Sequence, residues 1–210
     1  MMEAQCNWAG DNTNRNWDWV AWVDKTTLNT GEQLEQPRVT GKKGEVYLPK
    51  YMKKGDLFWL ELFPWAVGKN GHVSGGGLTS EGYAKQITNG PLNQFLADLE
   101  VEQGHKILVV EDGAAAHRGI AAQCAQKELG IEQLPHSSNA PDLNPIEPLW
   151  NIFKKHVFKI PGACKNLDKL WKAAKMVWDA FTEEGINKYT DRMDAHVEAV
   201  KVAKGCPTEF

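Results

Sequence analysis

Cysteine is scarce in this chain of 210 residues, and the four present, Cys6, Cys124, Cys164 and Cys206, are widely scattered. No two have the spacing of a metal finger, so they read as reduced thiols of an intracellular protein, not a secreted one. No apolar run approaches the length of a membrane span. The opening residues, MMEAQCNWAGDNTNRNW, lack the apolar core that a signal peptide needs. Internal repeats and low-complexity blocks are missing too. So is an excess of positive charge: the net charge is −3 and the pI about 6.1, which is not the global signature of a nucleic-acid binder. The SGGG run at 74–77 is not a phosphate loop, because the lysine and hydroxyl of that pattern do not follow it.

What remains is an ordinary folding composition, 42% hydrophobic and 24% charged, enough for one domain with a sizeable core. Residues 1–16 are polar and without periodicity, and read as an unstructured leader. WDWVAWVDKTTLN (17–29) is rich in aromatic and β-branched residues and reads as a strand. Residues 40–51 suggest a short strand after a turn, 56–67 a strand broken by Pro64, and 69–79 a turn with a glycine-rich strand. Residues 80–103 open with a serine cap and carry helical spacing, with a break at Asn89–Pro91. KILVVED (106–112) is a short apolar strand covered on both faces. A helix over 117–130, ended by Gly130, a strand over 131–135 and a helix from Asn144 to about Pro161 follow. Residues 166–203 are mostly helical. Strands followed by alternating helices and strands predict a mixed sheet covered by helices.

Charge is unevenly placed. Residues 151–176 hold seven lysines (154, 155, 159, 165, 169, 172 and 175) against one acid, Asp168. Such a run is either a solvated helix face or a surface for phosphates.

Three carboxylates stand out. NAPDLNPIEPLW (139–150) places three prolines around Glu147. Asn144 suits a helix cap, Pro145 the first helical position and Glu147 the third, so a variant capping box accounts for the segment locally. Asp112 ends the most apolar strand, just before Gly113, where open α/β sheets place ligands and where turns place Asp. Asp24 lies on the strand face shared with Val20 and Trp22; it is either an edge acid facing water or a charge held by partners. Three carboxylates brought together would repel one another, and divalent cations remove that repulsion. Two such ions can clamp the attacking and leaving oxygens of a phosphoryl displacement.

The segments around these acids resemble the catalytic domain of mariner-type DDE transposases. The resemblance runs from Trp17 to about Val157. WVDKTTLNTGE resembles the segment of the family's first acid, ILVVEDGAAAHRG that of the second, and LPHSSNAPDLNPIEPLWNIFKK that of the third. Thirty-four residues lie between Asp112 and Glu147, the spacing of one main branch. The resemblance implies an α/β, ribonuclease-H-like fold: a mixed five-stranded sheet flanked by helices over residues 17–160, with a helical extension over 161–210 packed on it. It implies that Asp24, Asp112 and Glu147 are catalytic and bind Mg²⁺, or Mn²⁺ in its place, as two ions when DNA is bound. It implies cleavage of DNA at transposon ends and strand transfer to target DNA, with no organic cofactor. A homodimer and a nuclear location fit the same class.

Smaller expectations attach to neighbours. His117 either hydrogen-bonds near the site, touches a phosphate or caps the next helix. Asn144 and Pro145 shape the start of the helix that carries Glu147. Trp150 packs that helix on the core and does not stack on a base. Lys154, Lys155 and Lys159 are candidates for DNA backbone contacts. The sequence also departs from the family. No pair of helix-turn-helix units precedes Trp17, and the position after the first acid, commonly Glu, is Lys25. A truncated or domesticated copy, acting as a nucleic-acid or protein interaction module, is therefore the alternative to a DNA-cutting enzyme, and a general ribonuclease-H-type nuclease is a third.

Overall fold

In the computed structural model, the described residues are 2–30, 45–52, 63–64, 78–136 and 140–208. The expected strands over 56–67 and 69–79 lie mostly outside them. The chain opens with helix α1 (Met2–Asp11), which corrects the expectation of an unstructured leader. The helix lacks a clear apolar period. It is fixed instead by one large anchor: Trp8 is buried, its ring lies against Trp17 and His136, and its indole N–H donates to the carbonyl of Pro135.

Residues Trp17–Trp19 form a 3₁₀ turn, held by Asn16, whose side chain accepts from the Asp18 amide at 3.1 Å. Strand β1 (Val20–Asn29) therefore begins three residues later than its composition suggests. Strand β2 (Glu45–Met52) runs antiparallel to β1, pairing Trp22 with Met52 and Asn29 with Glu45. The short β3 (Phe63–Pro64) pairs antiparallel with β2. On the other side of β1 lies β4 (Leu108–Glu111), parallel to it, and then β5 (Glu132–Gln133), parallel to β4. The spatial order is β3-β2-β1-β4-β5.

Helix α2 (Ser80–Tyr83) passes through a wide-turned segment, Ala84–Leu92, into α3 (Asn93–Gln103). The expected break falls at Gly90, whose backbone is non-helical (φ −126°, ψ −114°). The cap of α2 is Thr79, not Ser80: the Thr79 hydroxyl accepts from the Gly82 amide at 3.1 Å. Ser80 is used elsewhere, accepting from the Ala122 amide at 3.0 Å. That bond explains why the helix expected over 117–130 is two pieces, α4 (Ala115–Arg118) and α5 (Ile120–Glu128). Gly119 joins them with extended backbone and offers no capping side chain, so Ser80 supplies the hydroxyl across the fold. A Cβ at Gly119 would lie 2.3 Å from that hydroxyl oxygen, so only glycine fits.

After a 3₁₀ turn at Pro141–Leu143, helix α6 spans Glu147–Lys159. Helices α7 (Leu167–Asp179), α8 (Glu183–Thr190) and α9 (Met193–Val202) complete the described chain. Asn166 and Thr182 cap α7 and α8 through their side-chain oxygens, at 2.9 and 3.1 Å.

Alternation along the parallel strands divides the core in two. Val20, Trp22 and Val110 face a cluster built by α1, α6, α7, α8 and α9, including Trp150, Phe153, Leu170, Trp178 and Val197. Ala21, Val23, Ile107 and Val109 face Tyr83, Ile87, Leu96, Leu99 and Ala122 on the opposite side. Each large apolar side chain so buried contributes roughly 1.5–3 kcal/mol. The sheet is thus a middle layer between helices, and α7–α9 share one apolar cluster with β1 and α6.

Candidate active site

Two of the three singled-out acids meet by register. The parallel ladder runs Val20↔Leu108, Ala21↔Val109, Trp22↔Val110 and Val23↔Glu111. The next residue on each chain is Asp24 and Asp112. Matching positions of a parallel pair point to the same face, here the face of Trp22, Val110 and α6. The two aspartates therefore stand side by side one step beyond the parallel ladder, Asp112 just past the end of β4 and Asp24 midway along β1.

Asp24 is only 4% exposed. A buried carboxylate requires hydrogen-bond donors, and α6 and its approach provide them. The Asn144 amide donates to Asp24 Oδ2 at 2.9 Å, and the Trp150 indole N–H donates to the same oxygen at 3.1 Å. Trp150 is 2% exposed and packs on Phe153 and Trp178. It packs the helix on the core, as the sequence suggests, and the indole donor is a role that the sequence reading missed. A Trp one helical turn on from Ile146, on the helix expected to carry Glu147, was the available signal.

Asp112 is held from its own side. Its Oδ1 accepts from the Ala114 amide at 3.1 Å and lies 2.7 Å from His117 Nδ1. The same ring nitrogen lies 3.2 Å from the Asp112 carbonyl. Both oxygens are acceptors, so Nδ1 carries the proton. His117 is buried, with its ring against Tyr83. The neighbouring Glu111 belongs to the other face, where Tyr83, Gln126 and Gln133 donate to it.

Glu147 opens α6 and is exposed. The helix starts later than the capping-box pattern requires. Pro145 is buried, and it and Ile146 form a turn; Asn144 Oδ1 accepts from the Ile146 amide at 3.0 Å, and its carbonyl accepts from the Glu147 amide at 3.3 Å. Among the described residues the Glu147 carboxylate has no hydrogen-bond or ion-pair partner. Glu147 and Trp150 are three apart on one helix and so share a face. The helix face that reaches Asp24 through Trp150 thus carries Glu147 one turn earlier. Lys155 and Lys159 are exposed farther along α6, and Lys154 is half-buried.

Among the described residues no three His, Cys, Asp or Glu side chains are gathered closely enough to hold a metal ion. Register brings Asp24 and Asp112 to one face, and Glu147 opens the helix whose Trp150 reaches Asp24. The donor set nonetheless suits a hard divalent cation: all three groups are carboxylates, two are already oriented by N–H donors as ligating carboxylates commonly are, and the third is uncommitted within the described structure.

His196, on α9, bears on this edge from behind. It is 4% exposed, and its Nδ1–H donates to the Asp142 carbonyl at 2.7 Å. Burial holds its pKa below the ordinary 6.5, with Arg192 acting in the same direction, against the opposing pull of the Asp142 hydrogen bond and charge. On acidification the unfolded chain therefore takes up this proton first. The contribution of His196 to stability is complete above about 6.5 and falls as the pH drops through the lower folded value. Thermal unfolding between pH 7.5 and 5 should show a falling midpoint, with a shallower fall in His196→Asn.

Residues 71–170 match the family described as DDE superfamily endonuclease. The Tcb2 transposable-element transposase of Caenorhabditis briggsae is 32% identical over 80 residues, which cover 38% of this chain and 29% of that protein. The Tc1 transposable-element transposase of Caenorhabditis elegans is 26% identical over 107 residues, covering 51% and 38% respectively. The matched region thus spans well under half the length of either relative. Among solved structures, the Mos1 transposase catalytic domain with Raltegravir and Mg superposes with a TM-score of 0.77 at 18% identity, covering 99% of this chain and 96% of that one. Mos1 in a paired-end complex with a left transposon end superposes with a TM-score of 0.74 at 17% identity, covering 99% of this chain and 63% of that one. Over residues 71–170 this chain is thus similar to the DDE superfamily endonucleases, and its mixed α/β fold is that of the Mos1 transposase catalytic domain.

Proposed function

We propose that this chain is a transposase catalytic domain that cuts DNA at transposon ends and joins the freed end to a target, using Asp24, Asp112 and Glu147. The observation that carries the proposal is the placement of Asp24 and Asp112 one step beyond the ladder pair Val23↔Glu111, with Asn144 and Trp150 tying the start of the Glu147 helix to Asp24. The five-stranded mixed sheet of the ribonuclease-H-like type belongs to the same reading, supported by the antiparallel β2 and β3 beside the parallel strands.

Bound at this edge as a pair, Mg²⁺ or Mn²⁺ would supply neutralisation of the phosphate charge and activation of water or a 3′ hydroxyl. The protein's part is positional. Asn144 and Trp150 fix one oxygen of Asp24, and His117 and the Ala114 amide fix one oxygen of Asp112. Their directions are set before ligands arrive, which lowers the cost of ordering them. Glu147 completes the set from the first turn of α6, and its exposure leaves it accessible to ligands. Lys154, Lys155 and Lys159 follow on the same helix and suit the DNA backbone. Joining two element ends calls for two such domains, so a homodimer on DNA, in the nucleus, is part of the proposal.

Retention of all three acids and their orienting partners favours this reading over a non-catalytic remnant. Incubation of the chain with supercoiled DNA tests it. Nicking that requires Mg²⁺ or Mn²⁺ and stops with chelator is expected. Preference for an RNA–DNA hybrid would point to a general ribonuclease-H-type nuclease, and cleavage indifferent to chelator would overturn the metal-dependent mechanism.

A further inference from the structure

Among the described residues, the path from β5 to α6 holds one short 3₁₀ turn, yet it must place Glu147. Its 3₁₀ turn, Pro141–Leu143, is held from the helical layer behind it. His196 Nδ1–H donates to the Asp142 carbonyl at 2.7 Å, and the Thr208 amide, in the segment after α9, donates to Asp142 Oδ2 at 2.6 Å. Asp142 is thus gripped at both backbone and side chain by residues 54 and 66 positions away. The turn is closed by the Leu143 amide on the Ala140 carbonyl at 3.1 Å, and His136 Nε2 lies 3.3 Å from the Leu143 carbonyl. Asn144 comes next, with its bonds to Asp24, Ile146 and the Glu147 amide. Leu143 and Ile146 are fully buried, so displacement of the turn is passed along packed backbone to the helix start.

We propose that His196 and the Thr208 amide are positioning groups for Glu147: they clamp Asp142, and through the turn and Asn144 they set where the first turn of α6 meets Asp24. The inference rests on the catalytic reading of Glu147 and adds the α9 segment to the machinery. His196 is suited to the task because it is buried at the joint between α9 and the turn. Its polar ring would be costly there without the carbonyl it serves.

Hydrogen exchange and calorimetry together test the clamp, using His196→Phe and His196→Asn. Phenylalanine keeps the ring and removes the donor; asparagine keeps a donor. In His196→Phe, the amides of Glu147, Leu149 and Trp150 should exchange roughly tenfold faster, about the worth of one net hydrogen bond. Those of β1 and α3 should be unchanged. Mn²⁺ affinity should fall by about tenfold, the lower end for outer-shell changes, and His196→Asn should restore most of both. Acceleration spread evenly over the fold, or an α6 start indifferent to phenylalanine, would overturn the clamp. A wild-type chain that binds no Mn²⁺ would overturn the catalytic reading instead, while the exchange comparison would still decide whether the clamp exists.

Discussion

Asp112→Asn is expected to abolish metal-dependent DNA cleavage, by about a thousandfold or more, while leaving the fold intact. Asparagine keeps the shape of Asp112 and an oxygen that can still accept from the Ala114 amide and from His117, which now meet Asp112 Oδ1 at 3.1 and 2.7 Å. The charge alone is lost. The Asp112 side chain is 35% exposed at the end of β4, so the change in stability should stay within about 0.5 kcal/mol, as for ordinary surface substitutions. Metal assistance is worth several kcal/mol of transition-state stabilisation, and each 1.36 kcal/mol is tenfold in rate, hence the size of the loss. Single-turnover nicking in Mg²⁺ and in Mn²⁺, with thermal unfolding of the same sample, separates the two effects. Full cleavage by Asp112→Asn would remove Asp112 from the site. Lost cleavage with a lowered unfolding midpoint would mean that the residue is structural.

Trp150 should show the largest effect on stability, and two substitutions divide its roles. Trp150→Ala empties a site that is 2% exposed, between Phe153 and Trp178. Such truncations cost about 3–5 kcal/mol, which for a chain of this size lowers the unfolding midpoint by roughly 10 °C. Trp150→Phe keeps most of the packing and removes the N–H that meets Asp24 Oδ2 at 3.1 Å. Asp24 then relies on Asn144, and a buried carboxylate short of a donor costs about 1–3 kcal/mol. Mn²⁺ affinity should fall about tenfold in Trp150→Phe, in line with loss of an orienting partner. An unchanged affinity in that variant would show that the indole bond does not tune the site.

The positions of the aspartates were legible because their strands announce themselves. Apolar and aromatic runs end in Asp24 and Asp112, and short apolar strands between helices pair in parallel. The helix that carries Glu147 was legible from Asn144 and Pro145, though its first residue is Glu147 itself. Asn144 turns its amide to Asp24 and its oxygen to Ile146, leaving no conventional cap. Local rules miss features that are fixed from a distance. Helix α1 depends on Trp8 meeting Pro135 and His136, contacts more than 120 residues away that no local period records. The division at Gly119 depends on the Ser80 hydroxyl filling the place of a side chain. Trp150 looked like packing and is packing; its hydrogen bond to a strand 126 residues away could be seen only in three dimensions. The same holds for His196, which reads as one polar residue on a helix until Asp142 is found beneath it.

The central claim is that Asp24, Asp112 and Glu147 serve one metal site, although among the described residues no three such side chains are gathered closely enough to hold an ion. Titration calorimetry of Mg²⁺ and Mn²⁺ into the wild-type chain, Asp112→Asn and Glu147→Gln tests it most directly. The account predicts binding by the wild type that is lost or reduced at least tenfold in both variants, each remaining folded. Binding that is absent from the wild type, or that ignores both substitutions, would contradict it and leave Glu147 as an exposed acid at a helix start.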